Sequence, residues 1–90
     1  MNRNRRASMP WQIEKIIAVA NGLQATGSSG GSTSEQIAAA FVLNRMELLP
    51  EGYGDVVEAW ERLDGWQEHV RCIKRHHMHL IEDGPKSVYP

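Results

Sequence analysis

The sequence contains one cysteine, Cys72, so no disulfide can form within the chain. A single thiol is typical of a protein in a reducing compartment such as the cytoplasm. No apolar run approaches the roughly 20 residues that a helix needs to cross a bilayer. The arginines near the N-terminus are not followed by a signal-peptide core, because Gln12, Glu14 and Lys15 interrupt the apolar residues there. We therefore expect a cytoplasmic protein that does not associate with membranes.

The motifs of common catalytic and cofactor sites are also missing. The glycine-rich stretch 26–32 lacks the GK[ST] ending of a phosphate-binding loop, and no strand pattern precedes it, as dinucleotide binding requires. No nucleophile is paired with a histidine by a pattern typical of catalysis. We therefore expect a protein that is not an enzyme and holds no cofactor.

The central feature that the sequence does contain is an apolar run of seven residues, Ile37–Leu43. Ser32 and Glu35 precede it with the spacing of a helix capping box. Three consecutive alanines favour a helix over a buried strand, and a helix that is apolar nearly all round must be covered on most sides. With no strand pattern elsewhere, we predict an all-α fold, a small bundle of about four helices around this one. Phe41 should be deeply buried against Trp60 or Trp66.

Apolar spacing and helix breakers predict the other elements. A first helix should open at Ser8-Met9-Pro10 and end near Asn21-Gly22, or fray as far as Gln24-Ala25. Its apolar stripe comprises Ile13, Ile16, Ile17, Ala20 and Leu23. The connection around Pro50 should turn, with three side chains tucked against the core, those of Leu48, Leu49 and Tyr53.

A third helix should begin at Asp55, with a capping partner at Glu58, and run to about Leu63. Its inward residues are expected to be Val56, Val57, Trp60 and Leu63. The last helix should run from Trp66 to about Glu82, behind a capping pair formed by Asp64 and Gln67. Its apolar stripe comprises Trp66, Val70, Ile73, Leu80 and Ile81, with His77 in line. One continuous kinked helix across Asp64-Gly65 is the alternative to a split there.

The length of 90 residues predicts one domain over residues 1–90. Residues 1–7 should form a flexible arm, 26–32 a flexible linker and 84–90 a frayed tail, because these stretches are polar, glycine-rich or follow a helix stop.

Charge is distributed unevenly along the chain. Residues 47–68 hold seven acids against one base, a net −6, whereas the remainder holds nine bases and four acids. Such a ridge of carboxylates would attract a basic protein surface and speed the encounter. Solvated acids that only cap helices and confer solubility are the alternative interpretation. The candidate partner-binding residues are Glu47, Glu51, Asp55, Glu58, Glu61, Asp64 and Glu68.

Two further clusters lie on the last helix. His69, Cys72 and His76 project to one flank, and imidazole and thiolate are zinc ligands, so a metal-linked dimer is one hypothesis. Ten residues separate the outer histidines His69 and His79, so the flank cannot close on one ion within a chain. A second hypothesis is a small regulator that binds DNA as a dimer through the arginine-containing arm and the basic turn Arg71–Arg75.

The segment TSEQIAAAFVLNR…LLPEGYGDVVEAWERL, residues 33–63, resembles small uncharacterised proteins of bacterial phages and integrative elements. That class is similar in size and character to anti-CRISPR and other anti-defence proteins. The resemblance implies a binding protein without chemistry of its own, and it assigns a function to no individual residue. The leading hypothesis is therefore a non-enzymatic protein-binding module that inhibits a host nucleic-acid-handling, CRISPR-like complex through its acidic face. Direct nucleic-acid binding is not expected, and a homodimer is compatible with the sequence.

Overall fold

All the regular secondary structure in the part described is helical. The structure is a computed structural model that describes residues 10–28 and 30–82. Its α-helices are α1 (Trp11–Thr26), α2 (Thr33–Leu43), α3 (Val56–Leu63) and α4 (Gln67–Cys72). Within these ranges there is no strand, and no helix is both long enough and apolar enough to cross a membrane. The all-α prediction is confirmed; residues 1–7 and 84–90, expected to be an arm and a tail, lie outside the described ranges.

Helix α2 is the centre of the fold, as its apolar run predicts. It packs against α1, α3 and α4. The predicted capping box is present, because the Ser32 hydroxyl accepts from the Glu35 N–H at 3.2 Å and the Glu35 carboxylate accepts from the Ser32 N–H at 2.9 Å. Five of its apolar side chains are fully buried: Ile37, Ala38, Ala39, Ala40 and Val42.

Helix α1 covers one side of α2 with the predicted stripe. Every member of that stripe is buried, and Val19 joins them. The helix does not end at Asn21-Gly22 and continues through Thr26. Gly27 then stops it in the left-handed conformation, with φ of 83°, and its N–H donates to the Leu23 carbonyl oxygen.

The expected count of four helices is slightly off, because residues from Val56 to Leu80 form one irregular helical unit. Helices α3 and α4 are joined by a 3₁₀ turn at Asp64–Trp66, and a π turn and a further 3₁₀ turn follow α4. Asp64 has a positive φ of 50°, so the axis still breaks there. The three main units are thus α1, α2 and 56–80.

The predicted capping pair of Asp64 and Gln67 is wrong. Neither the 3₁₀ turn nor α4 has a side-chain cap at its start. The Gln67 amide instead donates to the Trp60 carbonyl oxygen at 2.8 Å, which ties the start of α4 to the end of α3. Gln67 therefore satisfies an unpaired carbonyl of the preceding helix.

The last apolar stripe is correct except at Leu80, since Ile81 is partly buried and packs against the core. Val70 and Ile73 are buried, but the α-helix ends at Cys72 and a π turn occupies Ile73–His77. A π turn adds a residue to the helical period and so rotates everything beyond it. Leu80 is consequently exposed, and the helical backbone ends there, before Glu82.

The glycine-rich stretch has one packed end. A Cβ added at Gly31 would lie 2.7 Å from the Val19 Cγ2 atom and 2.9 Å from Glu35 Oε1, and the Gln36 amide donates to the Gly31 carbonyl oxygen at 2.7 Å. Gly30 has no neighbour within 4 Å of such a Cβ. The flexibility of residues 26–32 stays a prediction. Gly31, the last glycine of that stretch, packs between α1 and α2.

Candidate protein-binding surface

The seven acidic residues of 47–68, hereafter the acidic ridge, are all exposed. They extend from the 3₁₀ turn at Met46–Leu48 through α3 to the start of α4. Exposure of Glu58 and Glu61 follows from the orientation of α3, which turns only Ala59, Leu63 and part of Trp60 towards α2. The carboxylates are thus available to a partner.

Three members of the acidic ridge already have contacts within the chain. The Arg45 guanidinium bonds the Glu47 carboxylate at 2.8 Å, which lowers the pKa of Glu47 below its ordinary value. Arg71 bonds Glu68 at 3.1 Å. The Asp55 carboxylate caps α3 by accepting from the N–H groups of residues 57 and 58, although the reciprocal half of the expected capping box is absent. The two surface ion pairs contribute little stability, whereas a helix cap such as Asp55 contributes about 0.5–2 kcal/mol.

Glu58 and Glu61 differ from these three. In the ranges that the structure covers, neither has an ion-pair partner. Their helix places them opposite Ala59 and Leu63, so they point away from the core. They are the most available charges of the acidic ridge on α3.

Val57 lies beside them, and its predicted inward position is wrong. It is 64% exposed, and Val56 is 41% exposed. The helical period places Val57 one turn before Glu61, on the face opposite Leu63, because α3 buries the small Ala59 against α2 instead. Val57 is thus an exposed apolar side chain beside the carboxylates of the acidic ridge.

Phe41 contacts Trp60 as predicted but is only half-buried. The two ring centroids are 5.1 Å apart in an edge-to-face arrangement. Both rings line a surface groove of about 290 Å³, together with Val70, Arg71 and Lys74. The predicted deep burial is therefore wrong, since the outer side of Phe41 forms a wall of this groove.

The groove has a basic rim. The Arg71 guanidinium lies 5.3 Å from the centroid of the Trp60 ring, in a cation–π contact. Arg71, Lys74 and Arg75 line an adjoining depression of about 270 Å³. In the sequence these cations form a basic turn, and their i, i+3, i+4 spacing is the signal that they share one helix face.

Lys74 is the cation of the rim that is hydrogen-bonded to the end of α2. Its Nζ donates to the Phe41 carbonyl oxygen at 2.8 Å and to Asn44 Oδ1 at 2.6 Å. Partial burial lowers the pKa of Lys74 from the ordinary lysine value. Its main role is thus to satisfy the carbonyl end of α2, and less of its charge is available to a phosphate.

The histidine and cysteine flank does not form a metal site within the described parts of the chain. No group of three or more potential ligands from His, Cys, Asp and Glu is arranged there to hold an ion. The His69 ring instead lies edge-to-face with the Trp66 ring, with 5.9 Å between the ring centroids, and the centroids of the His76 and His77 rings are 6.3 Å apart. Cys72 is a half-buried thiol packed against the core. A metal shared between two chains stays a hypothesis.

Comparison with protein-family models finds no match to this sequence. Comparisons with curated proteins and with solved structures find no match either. The resemblance of residues 33–63 to phage and mobile-element proteins therefore stays a prediction.

Proposed function

We propose that this protein is a non-enzymatic protein-binding module whose acidic ridge contacts a basic surface of its partner. The observation that carries the proposal is the exposure of all seven ridge carboxylates. Val57 supplies an apolar contact among them. Complementary charge would steer the encounter, and desolvation of Val57 would contribute to affinity once the surfaces meet.

The partner class that best fits an acidic surface is a protein that itself binds nucleic acid. Such proteins carry the strongest basic grooves, because those grooves neutralise phosphates. The segment 47–68, which has a net charge of −6 over 22 residues, can occupy a groove of this kind in place of the nucleic acid. The proposal thus includes inhibition of a nucleic-acid-handling complex, with the CRISPR-like complexes of bacteria as the first class to test.

Direct binding of DNA by the basic turn is less well supported. Arg71 is bonded to Glu68 of the acidic ridge, and Lys74 is bonded to the end of α2. A phosphate backbone laid across the turn would approach Glu68, which opposes binding. Of the three cations, Arg75 alone has neither an ion pair nor a side-chain hydrogen bond among residues 10–28 and 30–82.

The test uses the immobilised protein and a nuclease-treated bacterial lysate, with retained proteins identified by mass spectrometry. Glu58→Lys with Glu61→Lys should abolish retention of the partner while leaving the melting temperature nearly unchanged. The matched control reverses two exposed acids outside the ridge, Glu14→Lys with Glu82→Lys, and should retain the partner. The purified partner should then release its nucleic acid as this protein is added.

The comparison with Arg71→Glu and Arg75→Glu decides between the two surfaces. Under the proposal, this pair should retain the partner, because it leaves the acidic ridge in place. If the arginine pair loses the partner and the Glu58/Glu61 pair keeps it, the acidic ridge is not the binding surface. Steeply salt-dependent binding of the wild-type protein to a DNA duplex would favour the regulator instead.

A further inference from the structure

The groove beside Trp60 is suited to a ligand of mixed chemistry. Its walls, Phe41, Trp60 and Val70, are apolar, and the adjoining depression is lined by Arg71 and other cations. Arg71 and Lys74 line both cavities, so the two lie side by side. An occupant that satisfies both would combine an apolar side chain with a neighbouring carboxylate.

The chain itself displays such a group. Val57 is the most exposed of the large aliphatic side chains that the structure describes, and Glu58 and Glu61 lie within one turn of it on α3. Neither carboxylate has an ion-pair partner in the described ranges. An apolar side chain flanked by two negative charges is complementary to an apolar groove flanked by positive charges.

The two surfaces adjoin each other in the fold. Trp60, three residues after Val57 on α3, forms a wall of the groove. Arg71 of the rim lies over that ring and bonds Glu68, the last member of the acidic ridge. A two-fold rotation can therefore place the acidic part of each copy against the basic part of the other. The net charge of −1 allows two copies to approach without strong repulsion.

We propose that two copies of this chain associate reciprocally, with Val57, Glu58 and Glu61 of each copy docked on the Phe41–Trp60–Val70 groove and basic rim of the other. A nucleic acid fits this groove less well, because its phosphate backbone would meet Glu68 on leaving it. The inference goes beyond the proposed function and does not depend on it. Both use Glu58 and Glu61, so self-association would compete with partner binding.

Sedimentation equilibrium of the purified full-length chain, without any partner, tests the proposal. The average mass of the wild-type protein should rise from one copy to two between micromolar and millimolar concentration, and added salt should lower it. A mass of one copy throughout would overturn the proposal. Binding of a short oligonucleotide to this monomer, lost in Arg75→Glu, would assign the groove to nucleic acid.

Charge reversal identifies the surfaces. Glu58→Lys with Glu61→Lys should weaken self-association by about tenfold or more, and so should Arg71→Glu with Arg75→Glu. Mixing the two variants should restore the mass of two copies, because lysines then face the introduced glutamates at one contact and the native glutamates face the native arginines at the other. A mixture that stays monomeric, or variants that associate like the wild type, would overturn the proposal.

Matched variants separate the contact from net charge and from misfolding. Glu14→Lys with Glu82→Lys changes the net charge as much as the Glu58/Glu61 pair and should associate like the wild type. Arg71 has contacts within the chain, so its reversal can change the stability of the fold. If the melting curve of the double arginine variant changes, Arg75→Glu alone takes its place.

Val57→Asp alters an exposed side chain and should prevent association while leaving the melting curve intact. Association of Val57→Asp at wild-type strength would contradict the docking.

Discussion

Lys74 Nζ lies 2.8 Å from the main-chain oxygen of Phe41 and donates a hydrogen bond to it. The last carbonyls of a helix have no partner within the helix. Lys74 reaches across from the final helical unit to donate to one of them, that of Phe41, which also accepts from the Asn44 N–H at 3.2 Å. Its second bond, to Asn44 Oδ1, holds the residue that ends α2 in a left-handed conformation. One lysine thus joins the central helix to the C-terminal helical unit.

Replacing Lys74 with methionine should lower the free energy of unfolding by about 1–2 kcal/mol, because a charged donor at the end of α2 is lost. Chemical denaturation measures the change. Lys15→Met, at an exposed position of α1, is the matched control and should have almost no effect. Equal losses in the two variants would mean that the contact to Phe41 adds nothing.

Phe41→Ala should cost less than Ile37→Ala, although phenylalanine is the larger residue. Ile37 is completely buried, so its truncation leaves a cavity and should cost about 2–5 kcal/mol. Phe41 is half-exposed in the groove, so we expect about 1–3 kcal/mol from its lost contact with Trp60. Denaturation of both variants under the same conditions gives the two losses in free energy of unfolding. A larger loss for Phe41→Ala than for Ile37→Ala would support the deep burial of Phe41 expected from the sequence.

Gly31→Ala should destabilise the protein by about 1–3 kcal/mol, because its methyl group would overlap the Val19 side chain. Gly30→Ala is the matched control and should leave the melting temperature nearly unchanged, since that position is open. An insertion of about four glycine and serine residues after Ser28 should also be tolerated. A large loss from Gly30→Ala would show that the whole stretch is packed.

Arg45→Gln should raise the pKa of Glu47 towards its ordinary value of 4.5, because the Arg45 bond is the main cause of the lowered pKa. A carboxyl group whose folded-state pKa is lowered stabilises the fold above its unfolded pKa, and that contribution is lost as the pH falls through the folded-state pKa. Carboxyl NMR shifts recorded across the acidic range measure the change. An unaltered Glu47 titration in Arg45→Gln would exclude the bond in solution.

Neutralising individual ridge acids should affect partner binding unequally. Glu58→Gln with Glu61→Gln should weaken binding more than Glu47→Gln with Glu68→Gln, because the second pair is already bonded to arginines. Calorimetric titration against the purified partner compares the affinities of the two double variants, which have the same net charge. If the Glu47/Glu68 pair has the larger effect, the contact lies at the ends of the acidic ridge and away from α3.

The capping box and the buried stripe of α1 were predictable because each depends only on residues close together in the sequence. The Ser32–Glu35 capping box needs only a three-residue spacing, and the buried stripe of α1 needs only a helical period. The position of Val57 was not predictable in this way. Its helix could have turned either the valines or Ala59 towards α2, and close packing against the alanines of α2 selected Ala59.

The sequence by itself determined an all-helical chain, the identity of its central helix and the separation of acidic from basic residues along it. These follow from residue spacing and composition. Only the tertiary structure decided the orientation of α3, the change of register at the π turn and the meeting of Phe41, Trp60 and Arg71 around one groove. Such features depend on contacts between residues far apart in the chain, for which shape and volume decide among several arrangements compatible with the same local pattern.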